Sequence, residues 1–387
     1  MPVIDVPQPE YMDDEEISMF HDAVGKFYDQ HAPEKRVLKW REDGQVDREF
    51  WREAGAAGLL GVSVPEEYGG HGGDFRHDMV VVNQQANKGV DGFAASLHNV
   101  IILPYLVRHG TEEQKKKWLP KLVSGELVSA IAMSEPAVGS DLQNITTTAL
   151  KDGNGYKING SKTFISNGQN ADFIIVVAKT DPSEGHKGIS LICVETEGAE
   201  GFQRGKKLDK IGLDAQDTSE LFFDDVFVPA DNVLGGVEGK GFYQLMGELP
   251  QERLLIAIQA MITIEKALEC TVEYVKQRKA FGKTIWDFQN TQFTLADLKA
   301  RGTAAKVFVN DCTAKLLDGK LDVTTASIAK YWVTELQGEV VDKCLQLHGG
   351  WGYINDYPIA RMFRDSRVSR IYGGSNEIMK MLIARSM

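Results

Sequence analysis

The spacing of apolar residues changes twice along the chain and separates three regions of different predicted structure. In the first region, apolar residues recur every three or four positions over 15–28, which predicts an amphipathic helix. The same spacing continues over 47–57 and 89–109. Thr111, followed three residues later by a glutamine, is the N-terminal signature of a further helix. The beginning of the chain is therefore predicted to be helical.

The second region consists of short runs rich in β-branched and aromatic residues. Glycine, asparagine and aspartate separate these runs, as turns between neighbouring strands require. The runs lie at 156–159, 173–178, 189–194 and 221–228. This pattern predicts an antiparallel barrel or sandwich of about 100 residues.

The third region returns to helical spacing. From Leu254 to Val275, apolar residues recur every three or four positions, which predicts one long helix with a continuous apolar face. Pro250 suits the first turn of that helix, so we expect the helix to begin there. Two more helices are predicted over 288–316 and 323–348, and the three together indicate a helical bundle.

These three regions indicate an α+β multidomain fold class. A chain of 387 residues is long enough for two or three domains, because domains usually hold about 100–200 residues. We predict an N-terminal α-helical domain, a middle antiparallel β-barrel domain and a C-terminal helical bundle. The predicted boundaries are 1–125, 126–235 and 236–387.

The composition narrows the classes of partner. The net charge of −12 repels phosphate backbones, so we expect no nucleic-acid partner. No apolar run approaches the roughly 20 residues of a membrane-spanning helix, and no secretory or transit signal is visible at the start. The four cysteines form no CxxC pair and have no metal-ligand spacing with a histidine. We therefore expect reduced thiols, no bound metal and a reducing compartment.

Four glycine-containing segments carry the candidate chemistry, although each has a simpler structural explanation. In 132–141, small residues allow backbone N–H groups to approach an anionic ligand, but an ordinary turn has the same composition. The basic residues of 278–283 end the long helix, where positive charge is favourable even without a ligand. The glycines of 346–353 and 372–377 are also typical of helix C-caps.

Taken together, in this order and at this spacing, the segments resemble the acyl-CoA dehydrogenase family. The resemblance extends over almost the whole chain, and 249–253, 276–283 and 346–353 are especially similar to the long-chain branch. It implies that the C-terminal region is a four-helix bundle and that the protein is a homotetramer. It also implies an FAD cofactor, with the isoalloxazine ring between the β domain and the bundle.

The resemblance assigns FAD contacts residue by residue. Met133 and Ser134 would reach the pyrimidine edge of the flavin, and Ser140 would contact the pyrophosphate. Phe164 would cover the flavin, and Ser166 would contact flavin N5. The residues expected to hold the ADP half of a neighbouring subunit's FAD are Arg278, Phe281, Gln289, Gln346 and Gly350. The bundle residues expected to contact the subunit's own FAD are Ser375 and Glu377.

The implied reaction converts an acyl-CoA thioester to a trans-2-enoyl-CoA, and it requires a base for the α proton. Most family members carry a glutamate after the tyrosine of the last motif, where this chain has Gly373. The long-chain and isovaleryl branches instead supply the base from the start of the long helix, at the position of Glu252. We therefore predict Glu252 as base, Gly373 as a backbone donor to the thioester carbonyl, and Arg253 beside the substrate. A glutamate that only stabilises the first helical turn is the alternative.

Two positions suggest the substrate. Isovaleryl enzymes have a small residue where this chain has Tyr372, so we expect a straight acyl chain. Ser96 lies among small residues near the expected pocket floor, which favours medium to long chains. An isovaleryl-type enzyme, an oxidase and a non-catalytic flavin- or DNA-binding relative are the alternatives, and Glu252 with the negative net charge argues against the last. The expected electron acceptor is an electron-transfer flavoprotein, in the bacterial cytoplasm or, for a mature form, the mitochondrial matrix.

Overall fold

The computed structural model describes residues 2–387, which divide into two compact units. The larger unit contains Glu16–Lys210 and Asp214–Glu248. The smaller unit contains Leu249–Met387 together with Ile211–Leu213 and the first described residues of the chain. The predicted fold class is confirmed, because a helical region is followed by a β region and then by a second helical region.

Six α-helices open the chain. They are α1 (Glu15–His31), α2 (Glu34–Asp43), α3 (Arg48–Ala56), α4 (Phe75–Asn87), α5 (Leu103–His109) and α6 (Glu112–Val123). The helices predicted over 15–28 and 47–57 are confirmed as α1 and α3. Thr111 caps α6 as predicted, because its hydroxyl accepts the amide of Gln114 while the Gln114 side-chain oxygen accepts the amide of Thr111.

The single helix predicted over 89–109 is wrong in its first part. Gly89 and Gly92 have φ angles of 69° and 87°, and residues 89–94 are not helical. Such left-handed glycines interrupt helices because they need no Cβ atom. Leu97–Ile102 is π-helical and continues directly into α5. The spacing of apolar residues predicts neither the interruption at the glycines nor the π-helical segment, because it indicates which face of a helix is buried and not which backbone hydrogen bonds form.

A seven-stranded sheet follows the helices in the larger unit. Its strands are β1 (Ser129–Ala132), β2 (Thr148–Asp152), β3 (Gly155–Ser166), β4 (Phe173–Lys179), β5 (Ile189–Glu195), β6 (Phe202–Lys207) and β7 (Thr218–Pro229). Most pairs are antiparallel, as predicted. The main exception is β1, which runs parallel to β4 with Ser129 opposite Phe173. The connection between these two strands includes β2 and β3, which gives the chain enough length for a parallel crossover.

Strand β4 is buried on both faces and lies between two hydrophobic cores of the larger unit. Phe173, Ile175 and Val177 pack in a core that includes α5 and α6. The alternate residues Ile174 and Val176 pack in a second core formed by the other strands. A strand with two buried faces has a continuous apolar sequence, which explains why 173–178 shows no alternation of polar and apolar residues.

The smaller unit is helical. It contains α7 (Gly241–Gln277), whose residues from 249 onward belong to this unit, α8 (Gln289–Leu317), α9 (Val323–His348), α10 (Pro358–Ser366) and α11 (Asn376–Ala384). A short hairpin of β8 (Lys279–Ala280) and β9 (Lys283–Thr284) separates α7 from α8. Helix α9 contacts α8, α10 and α11. The helices predicted over 288–316 and 323–348 are confirmed.

The predicted start of the long helix is wrong. Helix α7 begins at Gly241, so Pro250 lies inside it. A proline inside a helix removes one backbone hydrogen bond and is tolerated only where other interactions compensate. Here the following residues Leu254 and Leu255 are almost fully buried, which provides that compensation. Glu252 is therefore not in a first helical turn, and a role in stabilising that turn no longer explains it.

The N-terminal segment belongs to the smaller unit. Ile4 is 4% exposed, and a Cβ atom at Gly302 of α8 would lie 2.6 Å from Ile4 Cδ1. Tyr11 forms a hydrogen bond with Thr313 of the same helix. The start of the chain therefore packs along a helix that is formed by residues near position 300.

One ion pair is buried within the larger unit. The Nζ atom of Lys162 lies 2.9 Å from Glu135 Oε1, and both side chains are almost inaccessible to solvent. Glu135 also accepts the backbone amides of Thr146 and Thr147. Burial alone would raise the pKa of Glu135, but Lys162 and the threonine donors lower it to about 2. Burial lowers the pKa of Lys162 to about 8, although Glu135 opposes that change.

We expect Glu135→Leu to lower the free energy of unfolding by about 3–5 kcal/mol, because it leaves the Lys162 ammonium buried without its counter-ion. Adding Lys162→Met removes that charge and should recover part of the loss. Urea denaturation measures both effects. Asp43→Asn, which breaks an exposed ion pair with Lys39, is the control and should leave the free energy of unfolding almost unchanged.

A double variant that is less stable than Glu135→Leu would contradict this account of the pair. The pH dependence provides a second check. Because the pKa of Glu135 is lowered from its ordinary value, its contribution is present above that value and is lost as the pH falls toward 2. The free energy of unfolding of the unmodified protein should therefore fall across this acidic range by the contribution of Glu135. In Glu135→Leu this part of the decrease should be absent.

Candidate active site

Glu252 and Arg253 occupy consecutive buried positions on α7, with 5% and 4% of their surfaces exposed. Ile256 lies one turn after Glu252 on the same side of the helix. A Cβ atom at Gly373 would lie 2.4 Å from Ile256 Cδ1. The backbone at position 373 therefore lies against the side of α7 that carries Glu252. The two residues predicted to be catalytic share one neighbourhood in the smaller unit.

The turn at positions 373 and 374 requires glycine at both. Gly373 has a φ of 65° and Gly374 a φ of 90°, which is the left-handed region that side chains disfavour. A Cβ atom at Gly374 would also lie 2.8 Å from Met379 Cε. A glutamate at 373, as in most family members, would be strained here and would displace Ile256.

The amide of Gly373 is available for a ligand. None of the hydrogen bonds between backbone groups of residues 2–387 has this amide as its donor. Gly373 is only partly buried, so this amide remains accessible to a bound molecule. An acceptor such as a carbonyl oxygen would satisfy it.

A buried lysine holds the turn from the other side. The Nζ atom of Lys330, on α9, donates to the Gly374 carbonyl at 2.8 Å and to Asn376 Oδ1 at 2.9 Å. The Asn376 amide nitrogen donates to Thr334 Oγ1 and to Glu335 Oε1, so the orientation of its side chain is set on both sides. Burial, and then the nearby Arg253, lower the pKa of Lys330 to about 8.

Arg253 provides further donors next to the same turn. Its Nη1 atom lies 3.4 Å from Ser327 Oγ, while its Nε atom is buried and has no partner in the described part of the chain. A Cβ atom at Gly374 would lie 3.9 Å from Arg253 Nη2. Burial lowers the pKa of Arg253, and the neighbouring Glu252 opposes that change. The site therefore combines a buried carboxylate with a guanidinium that has unused donor capacity.

A cavity of about 680 Å³ lies in the smaller unit, near the end of α7. This volume is in the range of about 300–1,000 Å³ that is typical of small-molecule sites. Three of the five residues predicted to hold the ADP half of FAD line it, namely Arg278, Gln346 and Gly350. His348 also lines the cavity and stacks on Tyr274, with ring centroids 4.3 Å apart.

Phe281 and Gln289 do not line this cavity. Phe281 lies at the tip of the β8–β9 hairpin, where it has a φ of 53° and is 94% exposed. Gly282 also has a positive φ, of 79°, as a two-residue hairpin turn requires at both central positions, so the turn geometry sets this conformation. Gln289 is the exposed first residue of α8. Both side chains remain available to another molecule.

The remaining predicted residues of the smaller unit lie around the glycine turn. Ser375 is the N-cap residue of α11, and Glu377 is exposed in the first turn of that helix. Backbone and Ser375 hydrogen bonds lower the pKa of Glu377. Tyr372, next to Gly373, is 41% exposed.

In the larger unit, Met133 and Ser134 directly follow β1 and are fixed by β3. The Ser134 carbonyl accepts the amide of Thr163 at 2.9 Å. The Met133 carbonyl accepts from Nζ of the buried Lys162 at 3.1 Å. Glu135 and Val138 then close a tight turn with two backbone hydrogen bonds. The segment that is predicted to contact the flavin is therefore held by a buried charge pair.

The other predicted residues of the larger unit are accessible to ligands to different degrees. Phe164 has a φ of 62° and is 69% exposed, at a point where the register of β3 against β7 shifts. Such irregularities re-aim a side chain. Ser166 ends β3 and is partly buried, while Ser140 is exposed. Ser96 directly precedes the π-helical segment and is also partly buried.

Sequence reasoning missed three residues that hold these segments, namely Lys162, Lys330 and Asn376. The two lysines are fully buried, whereas lysine is almost always exposed. Nothing in one sequence distinguishes such a lysine from a surface one. Only the positions of the carbonyl groups to which they donate identify them.

The described residues contain neither a cluster of metal ligands nor a membrane-spanning helix. Among residues 2–387, no group of three or more histidine, cysteine, aspartate or glutamate side chains could hold a metal ion. No helix in the same range has the length and apolar character needed to cross a membrane.

Three family models match successive parts of the chain. The model of the acyl-CoA dehydrogenase N-terminal domain matches residues 14–126. The middle-domain model of the same family matches residues 130–226, and the C-terminal-domain model matches residues 239–387. Together these models cover nearly the whole chain.

Similarity to individual proteins agrees with these matches. The chain is 49% identical to the mitochondrial long-chain specific acyl-CoA dehydrogenase of Sus scrofa, over 96% of this chain and 86% of that protein. It is 38% identical to the mitochondrial isovaleryl-CoA dehydrogenase of Pongo abelii, over 96% and 88%. The crystal structure of an acyl-CoA dehydrogenase from Geobacillus kaustophilus superposes with a TM-score of 0.95 at 48% identity, covering 98% of this chain and 99% of that chain. The chain therefore belongs to the acyl-CoA dehydrogenase family.

Proposed function

We propose that this protein dehydrogenates straight medium- to long-chain acyl-CoA thioesters and that Glu252 is its catalytic base. Membership of the family makes the protein an FAD-dependent oxidoreductase that acts on acyl-CoA. The observation that supports the choice of base is the packing of Gly373 against the side of α7 that carries Glu252. This chain has no carboxylate at the common family position, and it has a buried carboxylate next to that position.

The reaction begins with removal of the α proton, for which the carboxylate of Glu252 is the acceptor. A carbon acid next to a thioester becomes acidic enough only if the negative charge that develops on the carbonyl oxygen is stabilised. The free amide of Gly373 is the donor that we assign to this oxygen. Arg253 contributes positive charge from the buried side of the turn. Substrate binding would exclude water from the carboxylate and strengthen these interactions.

Bound FAD supplies the acceptor for the β hydrogen, which leaves as hydride. The residues of this chain fit such a cofactor. The exposed ring of Phe164 offers a flat apolar surface, and the backbone of Met133 and Ser134 is fixed in position beside β3. The cavity that contains Arg278 offers a cation together with the open glycine Gly350, which suits the anionic ADP half.

We further propose that the active form is a homotetramer in which each FAD site is completed by a second subunit. The exposure of Phe281 on a structured hairpin supports this, because a 94% exposed phenylalanine favours contact with another molecule. Gln289 is exposed close to it along the chain. These two residues and the cavity that contains Arg278 would together hold the cofactor of the neighbour.

We infer the straight-chain preference from Tyr372 and from the similarity of the chain to a long-chain enzyme. A tyrosine at this position reduces the space for a branch near the reacting carbons. The higher identity to a long-chain enzyme, 49% against 38% for an isovaleryl enzyme, supports the same choice. Ser96 and the small residues before it favour a pocket that accepts medium to long chains. An isovaleryl-type activity remains the alternative that the substrate test addresses.

We propose an electron-transfer flavoprotein as the physiological acceptor and the bacterial cytoplasm as the compartment, with the mitochondrial matrix as the alternative. All four cysteines are free thiols, which is consistent with a reducing compartment of either kind. Dye reduction and oxygen uptake measured in parallel would distinguish this acceptor from an oxidase activity.

The purified protein should contain one FAD per chain and should be oligomeric. Arg278→Ala should release FAD more readily because it removes the cation from the cavity, while the substrate preference of the FAD-loaded fraction should not change. Flavin absorbance after gel filtration measures retention, and light scattering measures mass. Lys276→Ala is the control, since this lysine stacks on Trp286 and does not line the cavity. A monomer that keeps its FAD and its activity would contradict the shared site.

Straight-chain acyl-CoAs should have higher specificity constants than isovaleryl-CoA. Tyr372→Ala should raise the ratio of isovaleryl-CoA to octanoyl-CoA activity by about tenfold, the lower end of what one change of pocket size achieves. Octanoyl-CoA measured on the same variant is the internal control for general damage. A higher specificity constant for isovaleryl-CoA in the unmodified protein would overturn the proposed preference.

Glu252→Gln should retain folding, FAD and acyl-CoA binding, because size and polarity are nearly preserved. Reduction of the flavin by acyl-CoA should fall at least about a hundredfold, the lower end for loss of a general base. Stopped-flow absorbance under anaerobic conditions measures this step. Glu273→Gln makes the same change at an exposed position of α7 and should leave the rate unaltered. Equal rates in Glu252→Gln and the unmodified protein would show that the base is another residue.

A further inference from the structure

Two consecutive glycines cannot hold a backbone amide in one direction without help. Gly373 and Gly374 have no side chains, and each can adopt positive and negative φ angles with similar ease. The direction of the Gly373 N–H group must therefore be set by contacts of its neighbours. Ile256 provides such a contact on one side of the turn.

Lys330 provides the contact on the other side. Its ammonium group is fully buried and donates to the Gly374 carbonyl at 2.8 Å. Its second bond, to Asn376 Oδ1, connects the turn to the first residue of α11. Thr334, one turn further along α9, binds the same asparagine. The turn is therefore attached to α9 through one cation and one amide.

A lysine at this position is not what stability alone would favour. Removing an ammonium group from water is costly, and burial lowers the pKa of Lys330 to about 8. The carboxylates of Glu335 and Glu377 oppose that change, while Arg253 adds to it. A methionine of similar length would fill the same space without this cost. What the cation adds beyond packing is its pair of hydrogen bonds, to the Gly374 carbonyl and to Asn376 Oδ1.

We propose that Lys330 is a positioning residue that fixes the Gly373 amide as a donor to the thioester carbonyl. This inference rests on the proposed function, because it takes that amide as the donor. Lys330 does not touch the substrate. It acts through the Gly374 carbonyl, and its loss should weaken stabilisation of the enolate more than binding of the ground state.

The test measures enolate stabilisation directly and not turnover. A 3-oxoacyl-CoA ionises at its α carbon, and the absorbance of its enolate reports the pKa of the bound ligand. In Lys330→Met, that ligand pKa should rise by at least about one unit, which is a tenfold loss. Affinity for a saturated acyl-CoA should change less than about threefold, since the donor acts on developing charge.

Two variants accompany this measurement. Lys306→Met on α8 makes the same substitution at a lysine that pairs with Glu265 and does not contact the turn, so the ligand pKa should not move. Lys330→Gln keeps a neutral donor on a shorter stem and should give a smaller shift in the same direction. It also replaces Lys330→Met as the decisive variant if the methionine protein does not fold.

An unchanged ligand pKa in a folded Lys330 variant would overturn the proposal. Failure of both variants to fold would also count against it, because the lysine would then serve the fold. The test of Lys330 can be distinguished from the test of Glu252 as the base. If Glu252→Gln reduces its flavin normally while Lys330→Met raises the ligand pKa, the base is wrong and the positioning role stands.

Discussion

The cost of burying a positive charge constrains one functional segment in each of the two compact units. In the larger unit, the ammonium of Lys162 donates to the carbonyl of Met133. In the smaller unit, the ammonium of Lys330 donates to the carbonyl of Gly374. Each segment is one that is predicted to contact the cofactor or the substrate. The same physical arrangement therefore helps to order two segments that lie outside the named strands and helices.

The two lysines differ in how their charge is balanced. Lys162 has a carboxylate partner, Glu135, at 2.9 Å, and this partner is itself satisfied by threonine donors. Lys330 has only neutral oxygen acceptors within hydrogen-bond distance, and Arg253 is a second buried cation nearby. The two buried cations near the Gly373 turn, Lys330 and Arg253, would stabilise negative charge that develops on a substrate, whereas the pair in the larger unit is neutral overall.

Much of the fold follows from the sequence, and the exceptions have physical causes. Regular helices such as α9 have the expected periodicity, strands such as β4 have the expected β-branched and aromatic residues, and their bounds differ from the predicted ones by few residues. Pro250 misled the prediction because a proline is tolerated inside α7, where apolar neighbours are buried. The parallel pairing of β1 with β4 depends on contacts between distant segments, which local patterns do not encode. The candidate site is also only partly predictable. Sequence motifs indicate Glu252 and Gly373, whereas Lys330 is identified only by its contact with the Gly374 carbonyl in the folded structure.

The membership of the N-terminal segment in the smaller unit affects how the protein can be made. Ile4 packs against α8 at Gly302, so its partner is synthesised about 300 residues later. At about 5–20 residues per second, a ribosome needs roughly 15–60 s to add that length. During this time Ile4 has no native packing partner, and the segment that carries it is available to chaperones or to other nascent chains. Synthesis rate and chaperone capacity should therefore influence the yield of this protein more than that of one whose N-terminal segment packs on nearby residues.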